Sequence, residues 1–103
     1  MKKITPFLLL VFLVACAGRT PAPKTAQHVI GAHFHHYGKL YKETSFGKSK
    51  VREVEILGTE EIHKNLVAVT AFVTLENGDV FKVRVTLEKG PFGWRTLSWE
   101  NLS

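Results

Sequence analysis

The stretch Leu66-Val67-Ala68-Val69-Thr70-Ala71-Phe72-Val73-Thr74-Leu75, Glu76-Asn77-Gly78-Asp79, Val80-Phe81-Lys82-Val83-Arg84-Val85-Thr86-Leu87-Glu88 holds two β-prone runs joined by turn residues. The register across that turn decides which side chains become the core. A two-residue Asn77-Gly78 turn pairs Phe72 with Val83 and Thr70 with Val85, and throws Val67, Val69, Val73 and Leu75 onto the face of Lys82 and Arg84. A three-residue loop, Glu76-Asn77-Gly78 with Gly78 as a left-handed bulge residue, instead pairs Val73 with Phe81, Ala71 with Val83, Val69 with Val85 and Val67 with Leu87. One face is then wholly apolar, and Thr70, Lys82, Arg84 and Thr86 share the other. Because a one-residue slip inverts every side chain, the pattern selects the bulged turn.

Outward from this hairpin, Lys50 to Leu57 alternates with Arg52, Val54 and Ile56 on one side and Val51, Glu53, Glu55 and Leu57 on the other, as a half-buried strand does. Gly58 to Asn65 is polar and reads as a turn, with Ile62 available to extend the next strand. After Lys89-Gly90-Pro91-Phe92-Gly93, a last hairpin strand is expected to point Leu97 and Trp99 inward and Trp94, Thr96 and Ser98 outward.

Before the strands, a helical period runs from Thr25, the N-cap candidate, to about Thr44. Ala26, Val29, Ile30, His33, Phe34, Tyr37, Leu40 and Tyr41 fall on one arc, with His28, His35, Lys39, Lys42 and Glu43 on the other. Gly31 and Gly38 lie near the border of the apolar stripe, where a close backbone neighbour, a kink or an early helix end each accounts for them. Thr44 to Ser49 reads as a loop.

The expected fold class is α+β: one N-terminal amphipathic helix packed on a roughly four-stranded antiparallel meander sheet. This order, with the closing Gly93-Trp94-Arg95 strand, is similar to cystatin-like and short NTF2-like lipoprotein domains. Gln27-His28-Val29-Ile30-Gly31 also resembles the Gln-x-Val-x-Gly loop with which cystatins inhibit cysteine proteases. In this chain it opens the helix, before every strand.

At the start of the chain, Lys2 and Lys3 precede an apolar run from Phe7 through Val14, the charged region and short apolar region of a secretory signal, too short to span a bilayer. Leu13-Val14-Ala15-Cys16 resembles the lipobox of bacterial lipoproteins. That resemblance implies lipidation of Cys16 by palmitate-type acyl chains and cleavage after Ala15, with 1–15 as signal peptide, 16–24 as lipidated Cys and Pro-containing tether, and 25–103 as the domain. The product has 88 of the 103 residues, no thiol left for a disulfide, and a net charge that falls from +5 to +3 with the loss of Lys2 and Lys3. With Ala17 after the cysteine, the family's sorting rule favours the outer membrane where there are two.

Motifs for catalysis are absent: Asp79, the chain's only aspartate, belongs to a tight turn, and its only cysteine is the anchor. Of His28, His33, His35 and His36, only His33 and His36 have helical spacing for one ion, and no Cys or Asp lies near them, so no metal and no cofactor are expected. His33, Tyr37 and Tyr41, on the helix face that meets the sheet, are candidates for lining an apolar-ligand or NTF2-like pocket; the same tips suit a core whose hydroxyls reach the rim. Phe72, Lys82 and Arg84, with Trp94, are candidates for a partner surface on the sheet face the helix leaves open. Lys48, Lys50 and Arg52 form a basic cluster that suits either an anionic envelope component or an ordinary solvated loop. The expected function is a non-enzymatic binding or structural module of the cell envelope. Its partners would be the membrane, through the lipid on Cys16, and an envelope protein or a second copy; nucleic acid is not among them.

Overall fold

The structure is a computed structural model and describes residues 20–103; the leader and Cys16 lie outside the described residues. Helix α1 spans Pro23–Leu40 and a single-turn helix α2 spans Ser45–Lys48. Strands β1 (Val51–His63), β2 (Leu66–Leu75), β3 (Val80–Gly90) and β4 (Gly93–Asn101) follow. They form one antiparallel sheet in the order β1-β2-β3-β4. The domain is therefore α+β.

The hairpin register is the bulged one. Val67 pairs with Leu87, Val69 with Val85, Ala71 with Val83 and Val73 with Phe81. Gly78 takes a φ of 97°, Leu75 N–H donates to the Asp79 carbonyl, and the Asn77 side chain accepts from Asp79 N–H. These pairs, with Leu75, face a core completed by Val54 of β1, by Ala26, Ile30 and Phe34 of α1, and by Phe46 of α2. Stacked rings hold the helices down: Phe34 and Phe46 lie 4.4 Å apart, and Trp99 meets Phe34 edge-on at 4.9 Å.

Four expectations need correction. First, α1 begins at Pro23 with Ala22 as N-cap and no side-chain cap, so Thr25 is inside the helix and the tether gives up Pro23 and Lys24. Proline suits a first helical position because its fixed φ is already helical and its missing N–H has no intrahelical partner there. At the other end α1 stops at Leu40, which leaves Leu40 and Tyr41 exposed instead of on the buried arc. Nor is Thr44 to Ser49 all loop: Ser45 to Lys48 form α2, and Thr44 caps it, its hydroxyl accepting from Gly47 N–H.

Second, Gly58 to His63 continues β1, with Thr59 opposite Val69 and Glu61 opposite Val67; the turn is only Lys64-Asn65, with Asn65 at φ 62°. Third, a register shift between Val51 and Glu53 brings Val51 onto the core beside Val54. Fourth, a register shift in β4 leaves Thr96 opposite Leu87 and Trp99 opposite Val85, so Leu97 bulges into solvent at 48% exposure. Trp99 points inward as expected. Trp94 and Thr96 share its face, so the outward reading of both is wrong, and the Trp94 ring packs against the core.

Candidate functional site on the open sheet face

Both helices pack on one face of the sheet, and no described element covers the other. Across an antiparallel ladder, directly opposite residues project from the same face, so the register lays out this surface in rows. Glu55 pairs with Phe72 and Phe72 with Lys82. One row further, Gly58, Thr70, Arg84 and Glu100 lie side by side. A half-buried aromatic ring is thus flanked by a carboxylate on one neighbouring strand and an ammonium on the other.

Charge follows the strands. Around Phe72, Glu53, Glu55 and Glu60 fall on β1, Lys82 and Arg84 on β3, and uncharged Thr70, Phe72 and Thr74 on β2 between them, while Glu88 at the far end of β3 is paired with Arg95. Arg84 donates to Glu60 at 3.2 Å, an exposed ion pair worth little in water. Neither Glu55 nor Lys82 has an ion-pair partner among the described residues. Beside Arg84, Ile62, Thr86, Ser98 and Glu100 line a shallow groove of about 350 Å³.

The expected surface group is brought together in part. Phe72, Lys82 and Arg84 share the open face, whereas Trp94 lies on the helix side, with Lys89 Nζ 6.0 Å from its ring centre. The glutamate stripe of β1, which sequence reasoning did not connect to Phe72, becomes part of the site only through strand pairing. Alternation alone places Glu55 on one face of its own strand, not beside a given residue of the next.

The His33, Tyr37 and Tyr41 group is in one place, but as packed rings. Tyr37 lies edge-on to Trp99 at 5.4 Å and against Phe46 at 6.0 Å, and Tyr41 is 54% exposed. His33 stands half-buried against Phe34, its Nε2 buried without a hydrogen-bond partner. Burial pushes this imidazole below its usual value of 6.5, and the neighbouring His36 adds to the shift. Among the described residues no group of three or more His, Cys, Asp or Glu is placed to hold a metal ion, and no helix is long and apolar enough to cross a membrane. Gln27, Val29 and Gly31 lie within α1, not in a hairpin loop.

No family model matches the chain, and no curated protein or solved structure matches it either.

Proposed function

We propose that the chain is a lipid-anchored envelope protein without enzymatic activity, whose open sheet face joins it to a second copy of itself. Cleavage before Cys16 would make α1 the first helix of the mature protein and leave a tether of seven residues, Cys16 to Ala22, which reaches about 25 Å at ~3.5 Å per residue. The domain would then sit close to the membrane, with copies confined to one surface.

The row Glu55–Phe72–Lys82 carries the reading. When two such faces meet about a two-fold axis parallel to the strands and centred on β2, β1 of one copy lies over β3 of the other. Phe72 then meets Phe72, and each Glu55 meets the other copy's Lys82. An axis across the strands would set glutamates over glutamates. The charge stripes therefore favour one of the two isologous arrangements and oppose the other.

Two variants test the reading separately. Phe72→Ser should weaken self-association at least tenfold in sedimentation equilibrium while leaving the circular dichroism of the fold in place. A wild-type protein that is monomeric at every concentration, or a variant that associates as the wild type does, contradicts it. Cys16→Ser should release the protein from membranes to the soluble fraction, and retention in the membrane pellet contradicts the lipid anchor.

A further inference from the structure

On the opposite side of the molecule, where α1 lies along β1, two adjoining grooves share His35 and Val51. One has a volume of about 520 Å³ and the other about 260 Å³. Their floor is apolar, with Val51 and Val54, and is open because Gly31 presents no side chain; its nearest neighbour is Val54 Cγ2, 3.8 Å from where a Cβ would stand. Their banks carry His28, His35, Lys39 and Lys42 on the helix side and Lys50 and Arg52 on the strand side, with the three lysines around the smaller groove and Arg52 at the larger. Glu53 is the single carboxylate among the lining residues.

None of Lys39, Lys42, Lys50 and Arg52 has an ion-pair partner among the described residues, whose ion pairs lie at Arg84 and Arg95. A concave surface in which four cations face one carboxylate focuses its field into the groove and concentrates anions there. From Gln27 to Lys39 the helix bank runs about 18 Å at 1.5 Å per residue, long enough to contact several successive charges of an extended chain.

We propose that this groove binds a linear, phosphate-bearing polymer in extended form. The cations stand along two opposed banks, a shape suited to holding a strand between them. Ammonium and guanidinium groups supply charge to the phosphates, with Arg52 able to bind two oxygens at once. Gln27 and the imidazoles add hydrogen bonds. The proposal is independent of the sheet-face reading, since it uses none of Glu55, Phe72 and Lys82.

The test is binding of fluorescent inorganic polyphosphate by the full chain in neutral detergent, read as anisotropy. Lys50→Gln with Arg52→Gln should weaken binding at least tenfold, whereas Lys64→Gln with Arg95→Gln, which removes the same charge at exposed positions outside the groove, should change it less than twofold. Gly31→Leu fills the groove without altering charge and should also weaken binding several-fold. Equal losses from both double variants would reduce the effect to net charge and overturn the proposal. Unchanged binding in Gly31→Leu would overturn the groove. Displacement of polyphosphate by mixed micelles containing phosphatidylglycerol would assign the surface to lipid headgroups and overturn the polymer.

Discussion

His33 stands where the polar edge of α1 turns under the aromatic cluster, its Nε2 buried and unpartnered. An imidazole held below 6.5 in the fold stays neutral there, while the unfolded chain takes up its proton as pH falls through 6.5. Stability from this residue is therefore complete above that value and lost progressively below it, until the folded imidazole protonates too. Thermal unfolding should fall in midpoint between about pH 7.5 and about pH 5, and His33→Gln should lose less over the same interval. An equal loss in the variant would exclude His33 as the source. That this histidine lies at the edge of the apolar stripe was legible in the sequence. That the end of its ring has no partner was not, because it depends on how Phe34 and Tyr37 close around it.

At the scale of elements, the two helix glycines do different work. A Cβ on Gly38 would stand 2.2 Å from the Phe46 carbonyl oxygen, a backbone atom fixed by α2, so Gly38 is where the two helices touch. Gly38→Ala should cost about 3 kcal/mol in urea unfolding through overpacking. At Gly31 the nearest atom is a methyl at ordinary contact distance, so Gly31→Ala should gain up to about 1 kcal/mol of helix propensity. Losses of equal size at both positions would contradict the contact assigned to Gly38. The strands, in turn, show where period-two reading succeeds and where it fails. The β2–β3 hairpin was legible because both strands are regular and one register alone segregates Val67, Val69, Val73 and Leu75 from Lys82 and Arg84. In β1 and β4, register shifts at Val51/Glu53, Ile56/Gly58 and Thr86/Leu87 change the phase of the alternation midway. Nothing in side-chain polarity marks such a shift in advance, so Val51, Trp94 and Leu97 were assigned to the wrong faces. The polar run Gly58 to His63 forms strand because its backbone groups find partners on β2, although all six residues are exposed.

As a whole, the described residues form a sheet with both helices on one side, a charge-striped face that none of them covers on the other, and a groove with basic side chains along one flank of the helix layer. The open face was legible residue by residue at Phe72, Lys82 and Arg84, but its self-complementary pattern exists only once β1 is placed beside β2. The most direct measurement of that pattern is sedimentation of two charge-reversed proteins, Glu55→Lys and Lys82→Glu, alone and mixed. Like charges facing across an interface cost several kcal/mol, so each alone should be monomeric where the wild type is dimeric. Mixed in equal amounts they should form a heterodimer, because the lysine introduced in one chain then meets the glutamate introduced in the other, while the unaltered Lys82 and Glu55 still meet. Monomers in the mixture, or dimers in either variant alone, would contradict the account.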